Sequence, residues 1–289
     1  MGVKLGLSSY SLWQAIRDGR MTVVDAVRWT AEQGFEHIEI VPIGFDLRDN
    51  PDLVDEIRRT AEACGIAISS YTVGNNFIVD TEEAFEERVA ELKRHVDIGA
   101  RLGVKLMRHD VASVPVPEAT IHRFEQELPR LVEGCRRVAD YAAQYGIVTS
   151  VENHGFFVQA ADRVQRLVRL VDRPNFRTTL DTGNFVCVDE DPVASVKKNL
   201  SYASMVHVKD FYVRPAWMEM GEGWFNSAAG KWLRGAITGY GDLDLRSILK
   251  AIKESGYDGY ISIEFEGLED CLEASRLSRD QVRRLWERV

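Results

Sequence analysis

Short apolar segments of β-forming residues alternate with longer amphipathic segments eight times along the chain. That alternation restricts the fold more than any other feature, because strands interleaved with helices at this spacing form a parallel sheet. Candidate strands are Val3–Ser9, His37–Val41, Ile66–Tyr71 and Val104–Arg108, then Ile147–Glu152, Phe176–Asp181, Ser204–Val208 and Tyr260–Glu264. Helical spacing is clear over Thr22–Gln33, where Val23, Val24, Ala26, Val27 and Ala31 fall roughly on one face. Longer examples are Glu83–Leu102 and Glu118–Tyr145, dense in Glu, Arg and Ala. Five helix-to-strand joints repeat one form, with Gly34, Gly65, Gly103, Gly146 and Gly256 placed just past the helix. That position commonly takes the left-handed conformation, which glycine reaches without a Cβ penalty. A joint repeated this often argues for one continuous βα array, a single domain over residues 1–289. Eight units predict an α/β chain closed into a (β/α)8 TIM barrel rather than a doubly wound sheet of five or six strands. No GxGxxG follows the first strand, which further disfavours a dinucleotide-binding fold.

One interval breaks the rhythm. Phe211–Leu243, between the seventh and eighth strands, carries Trp217, Trp224, Phe225 and Trp232 among many glycines. A connection this long on a compact domain is usually functional or disordered, and three tryptophans argue against disorder. It reads as a loop that acts as a lid.

Composition narrows the class of partner. A formal net charge of −9 argues against nucleic-acid binding, which normally needs a basic stripe. No run of about 18 apolar residues predicts a membrane span, and the N-terminal MGVKLGLSSYSLW has no signal-peptide core. Cys64, Cys135, Cys187 and Cys271 are widely spaced without a CxxC pair, and they read as free thiols in a reducing compartment. The expected location is therefore the cytoplasm.

In a TIM barrel the functional site forms at the C-terminal ends of the strands. The fifth strand ends in Glu152-Asn-His154, the sixth in Asp181-Thr-Gly, the seventh in His207-Val-Lys209-Asp210 and the eighth in Glu264-Phe-Glu266. Four successive strands thus deliver a carboxylate or an imidazole to one level. Carboxylates packed so closely repel one another unless a cation lies among them. A hard, anionic donor set of this kind favours one divalent metal, Mn2+ first, with Mg2+, Co2+, Zn2+ or Fe2+ as alternatives. Each residue also has a plainer role open to it. Asp181-Thr-Gly suits an Asx-turn, and His207 between valines suits a satisfied core histidine.

With VEN at strand five, LDTGN at strand six, HVKD at strand seven and GYDGYISIEFEG at strand eight, the whole chain resembles the xylose-isomerase-like barrel superfamily. It is most similar to the sugar phosphate isomerase/epimerase branch, with tagatose 3-epimerase-type enzymes and inosose dehydratases. The resemblance implies Glu152, Asp181, His207 and Glu264 as ligands of one metal. Glu266 shares the strand parity of Glu264, so the choice of Glu264 rests on the family pattern. Glu152 and Glu264 are implied as catalytic carboxylates on either face of the substrate. His154 is a candidate general base or a partner for a ligand. His109, Lys209, Asn184, Trp224 and Arg214 are candidate substrate-binding residues.

Two positions depart from the ketose 3-epimerase pattern. Asn184 stands where those enzymes carry a substrate-binding histidine, and Val213, with Arg214 beside it, stands where they carry an arginine. Endonuclease IV, in the same superfamily, needs a trinuclear zinc site rich in histidine. This chain has six histidines, with only His109, His154 and His207 near strand ends, so DNA repair is disfavoured. The Glu152-x-His154 pair, the HVKDF segment, the aromatic insertion and the acidic ending also resemble a 3-keto-glycoside epimerase and the barrel subunit of C-glycoside deglycosidases. The function implied is metal-dependent enolisation of a ketosugar or 3-keto-glycoside by an isomerase or epimerase. The alternatives are a 3-keto-glycoside lyase acting by β-elimination and a non-catalytic sugar-binding barrel. A homo-oligomer would suit the first reading, and a hetero-oligomer with a small β-rich subunit the second.

Overall fold

The computed structural model describes residues 4–289. Strands β1 (Lys4–Ser8), β2 (His37–Ile40), β3 (Ala67–Val73), β4 (Leu106–His109), β5 (Val148–Glu152), β6 (Phe176–Asp181) and β7 (Ala203–Val208) run in chain order. Between β7 and the last barrel strand lie β8 (Asp210–Arg214), β9 (Phe225–Asn226) and β10 (Trp232–Ala236), and β11 (Tyr260–Ile263) then closes the barrel onto β1. The barrel order is β1-β11-β7-β6-β5-β4-β3-β2, and every pair in it is parallel. This is the eight-stranded closed barrel anticipated from the alternation. Each predicted strand is present within two residues at either end, Val3 lying outside the described residues.

After a short α1 (Trp13–Arg17), one helix follows each barrel strand. These are α2 (Val23–Glu32), α3 (Pro51–Cys64), α4 (Glu82–Leu102), α5 (Ile121–Ala143), α6 (Ala161–Val171), α7 (Pro192–Asn199), α8 (Leu245–Glu254) and α9 (Cys271–Glu287). Their starts are set by side-chain caps. Thr22, Asn50, Thr81, Thr120, Asp191, Asp244 and Asp270 each accept a backbone N–H of the first turn. Gly34, Gly65, Gly103, Gly146 and Gly256 all have φ between 64° and 83°, the left-handed value the repeated joint requires. Apolar faces of the helices pack against the outward residues of the strands, in one cluster around β2 to β6 and a second around β1, β7 and β11.

Two register shifts matter for the site. One extra residue on β7 opposite Thr178/Thr179 brings Asp181 level with His207. A second on β3 places Glu39 opposite Ser70. Such bulges re-aim side chains near functional sites.

The segment Phe211–Leu243 is not the loop its glycines suggested. It folds into a three-stranded antiparallel sheet in the order β8-β10-β9. Asp210 fixes it to the barrel rim, its buried carboxylate accepting N–H bonds from Phe211, Gly239, Gly241 and Leu243 at 2.8–3.3 Å. Gly241 is needed there, since a Cβ would overlap that carboxylate. All four cysteines are free, Cys64 exposed and the others buried. Among the described residues, no helix is long and apolar enough to cross a membrane.

Candidate functional site

At the C-terminal mouth of the barrel, Glu152, Asp181, His207 and Glu264 each offer one donor atom, and the four atoms lie within 4.8 Å of one another. They come from adjacent strands β5, β6 and β7 and from the residue after β11. Glu152 and Glu264 therefore end the arc, with Asp181 and His207 between them. Glu264 belongs to this cluster. Glu266 does not; it lies farther out, bonded to Lys209 at 3.1 Å and to the Tyr10 hydroxyl at 2.9 Å.

The motif around each residue fixes its aim. Asn153 stitches β5 to β6 at the position of Asp181, its side chain donating to the Asp181 carbonyl and accepting from the Asp181 N–H, both at 2.9 Å. Asp181 Oδ1 accepts from Gly183 N at 2.8 Å and from Asn184 N at 2.7 Å. The Asx-turn is thus real, yet it uses only one carboxylate oxygen. Oδ2 is buried and has no hydrogen-bond partner. Burial pushes this carboxyl up to about 7, the neighbouring carboxylates Glu152 and Glu264 adding to the effect against Lys209. A buried, unpartnered carboxylate oxygen facing two further carboxylates and an imidazole fits a divalent cation, which would supply the missing partner.

His207 turns Nδ1 toward Glu152 Oε1 (3.2 Å) and Glu264 Oε2 (3.1 Å), and Nε2 toward Glu39 (3.0 Å). Glu39 is itself fully buried and also accepts from Thr72 Oγ1 at 2.6 Å. This is the carboxylate–histidine arrangement that fixes a ligating imidazole. Burial opposes a charge on His207, but Glu39, Glu152 and Glu264 outweigh it and raise the imidazole well above its usual range. Burial likewise works against Glu264, yet the Lys209 ammonium and the His207 hydrogen bond hold it well below the carboxylate range.

Lys209 is almost completely buried, its Nζ 3.4 Å from Glu264, 3.1 Å from Glu266 and 3.4 Å from Asn184 Oδ1. Across the mouth Arg108, also buried, spans Asp110 (2.6 Å) and Glu152 Oε2 (2.5 Å). His154 is half-exposed and sits 3.1 Å from Asp110. Burial disfavours its charge, but the Asp110 hydrogen bond and charge prevail and raise it. All of these groups except Asn184 line a cavity of about 250 Å3 together with Tyr10, Thr72 and Gly74.

The structure does not bring His109, Trp224 or Arg214 to this cavity. His109 points outward from β4, buried between Phe77 and Phe176 with Nδ1 on the Asp110 carbonyl, because strand alternation gives the inward place to Arg108. Arg214 is held by Asp242 at 2.6 Å on the small sheet, and Trp224 packs beside Arg214 and Arg234. Sequence reading missed Glu39, Arg108 and Tyr10. Glu39 and Arg108 interrupt apolar strands at inward positions, and that was their available signal.

A family model described as xylose isomerase-like TIM barrel matches residues 27–286. The chain belongs to this family. Among curated relatives it is 26% identical over 263 residues to an inosose dehydratase of Lacticaseibacillus casei, covering 78% of this chain and 88% of the relative. Among solved structures it superposes on a 3-keto-D-glucoside 4-epimerase of E. coli with a TM-score of 0.72 at 15% identity, covering 98% and 100% of the two chains. It also superposes on a xylose isomerase-like TIM barrel protein of Mycobacterium smegmatis in complex with magnesium, with a TM-score of 0.70 at 22% identity, covering 92% and 88%.

Proposed function

We propose that this family member is a divalent-metal-dependent isomerase or epimerase that enolises a ketosugar or a 3-keto-glycoside. The observation that carries the reading is the four-donor cluster with its orphaned Asp181 Oδ2 at the barrel mouth. Glu152, Asp181, Nδ1 of His207 and Glu264 would hold the ion, and the predominance of carboxylate oxygens suits Mn2+ or Mg2+. When bound, such an ion would polarise a carbonyl and the neighbouring hydroxyl, acidifying the C–H of the hydroxyl-bearing carbon next to the carbonyl.

The side chains divide the remaining work. Glu152 and Glu264, at the two ends of the arc, flank a substrate carbon from opposite sides, so one removes the proton and the other returns it. Return to the opposite face of that carbon gives an epimer. Arg108 holds Glu152 in place through Oε2, and the Lys209 ammonium beside Glu264 offsets negative charge developing on the substrate oxygen. His154, at the cavity rim with Asp110 behind it, can relay a proton to solvent.

A second outcome is favoured by the dehydratase relatives: if a hydroxyl or other leaving group sits β to the carbonyl, the same enolate expels it and the enzyme is a lyase. The test is solvent-deuterium incorporation by Mn2+-loaded protein into a panel of ketosugars and 3-keto-glycosides, read by NMR. Exchange at the carbon next to the carbonyl is expected, and the accompanying product, epimer or unsaturated ketone, separates the two outcomes. No exchange with any member of the panel refutes both.

A further inference from the structure

A second cavity, of about 200 Å3, adjoins the first and shares three walls with it: His154, Lys209 and Glu266. Its other lining is different in kind. Phe156 and Phe225 present aromatic surface, and the buried Phe211 backs Phe225 edge to face at 5.9 Å between ring centres. Phe225 comes from β9, so the inserted sheet builds part of this wall.

Two details mark the place as built for a ligand. Asn184 is 3 % exposed, and its Nδ2 has no hydrogen-bond partner although it lines the cavity. Its side chain is oriented by Lys209 donating to Oδ1 (3.4 Å), and its backbone carbonyl is held by Gln159 Nε2 (2.6 Å). A buried amide donor without an acceptor is costly, so an acceptor from outside the chain is the natural complement. Phe156, moreover, holds φ at +64°, a left-handed conformation uncommon for a bulky residue, and Gln159 pins it through the Phe156 N–H. Each cavity alone falls at or below the roughly 300 Å3 where ligand pockets begin, and the two joined enter that range.

We propose that the second cavity is a subsite for a second ring, and that the substrate is a glycoside rather than a free monosaccharide. This rests on the reading that the metal-side cavity takes the keto sugar. The attached ring, an aromatic aglycone or a second sugar, lays a flat face on Phe225, which Phe211 backs edge to face, and offers an oxygen to Asn184 Nδ2. The linking atom then lies beside Lys209 and Glu266, at the junction of the cavities.

The test is calorimetric binding to the Mn2+-loaded full chain of matched phenyl and methyl β-D-gluco-, galacto- and mannopyranosides, with cellobiose as the two-sugar arm. At least tenfold tighter binding of a phenyl glycoside or of cellobiose than of the methyl glycoside is expected. Phe225→Ala should cut that ratio below threefold. Phe225→Leu, which stays apolar but loses the flat ring, should weaken it in the same direction with the melting temperature held. Equal affinities across all pairs, or a ratio that survives both variants, overturns the proposal. Preference without deuterium exchange on any keto substrate refutes the enolising function alone. Exchange without preference refutes the subsite alone.

Discussion

Glu39 gives the sharpest test of how the barrel sets up its donor cluster. Its carboxylate is fully buried and lies 3.0 Å from His207 Nε2, with Thr72 Oγ1 donating to it at 2.6 Å. With the Nε2 proton directed at Glu39, Nδ1 faces Glu152 and Glu264, where a cation would take the place of its proton. Glu39→Ala removes that constraint and leaves Nε2–H without an acceptor. Outer carboxylates of this type contribute about 10- to 100-fold to metal affinity, or about 1.4 to 2.8 kcal/mol. Glu39→Gln can still accept at one oxygen, but its amide nitrogen must face either His207 or Thr72. Its loss should therefore be near tenfold, against about 100-fold for Glu39→Ala.

Competition of the purified protein with a chromogenic chelator for Mn2+ measures this directly. A second readout is the melting temperature with and without metal. Stabilisation by a ligand follows RT ln(1 + [L]/Kd), so at fixed excess Mn2+ a hundredfold weaker site loses about 2.7 kcal/mol of metal-dependent stabilisation. That corresponds to roughly 4–5 °C for a chain of this length. The metal-free melting temperature serves as the control for a purely structural role. If both variants bind Mn2+ within twofold of the parent, Glu39 does not orient His207 for a metal and the reasoning fails.

Lys209→Met should lower deuterium exchange at least about 100-fold, the usual loss of an oxyanion donor, without weakening Mn2+ binding, because Nζ at 3.4 Å from Glu264 competes with a cation. Exchange within threefold of the parent would refute that role. His37, buried with Nδ1 on Ser69 and Nε2 on the Lys4 and Ile261 carbonyls, is lowered to about 4 by burial. Its contribution to stability is therefore complete above its ordinary value of about 6.5 and is lost as pH falls toward 4, by roughly 3 kcal/mol. Denaturant titrations of parent and His37→Gln from pH 7 to 4 should show a shallower acid decline in the variant, and parallel curves would contradict it. Gly235→Ala would drive a Cβ into the Glu266 carbonyl, so the inserted sheet must shift from the rim. A melting temperature unchanged within 1 °C would show that the sheet is not seated there.

The eight strands and their helices were legible because each rests on local chemistry: short apolar β-rich runs, amphipathic helical spacing and glycine at left-handed joints. The inserted sheet was not, since Phe225–Asn226 is two residues long and becomes a strand only by pairing with Trp232 and Leu233. The same division runs through the site. Glu152, Asp181, His207 and Glu264 lie at strand ends, so the barrel brings them to one mouth, whereas the bulge on β7 that levels Asp181 with His207 is not visible in sequence. His109 went astray by one residue, because side-chain alternation on β4 depends on which of Arg108 and His109 faces inward. An apolar-looking strand end with two basic residues does not say which. Glu39 and His207 stand 168 residues apart, and only barrel closure puts the second strand's carboxylate beneath the seventh strand's imidazole. The orphaned Nδ2 of Asn184 is equally invisible in sequence, because satisfaction of a donor is a property of its surroundings. Residues that carry chemistry can thus be read from where strands end, whereas residues that orient them must be read from what the closed barrel leaves paired or unpaired.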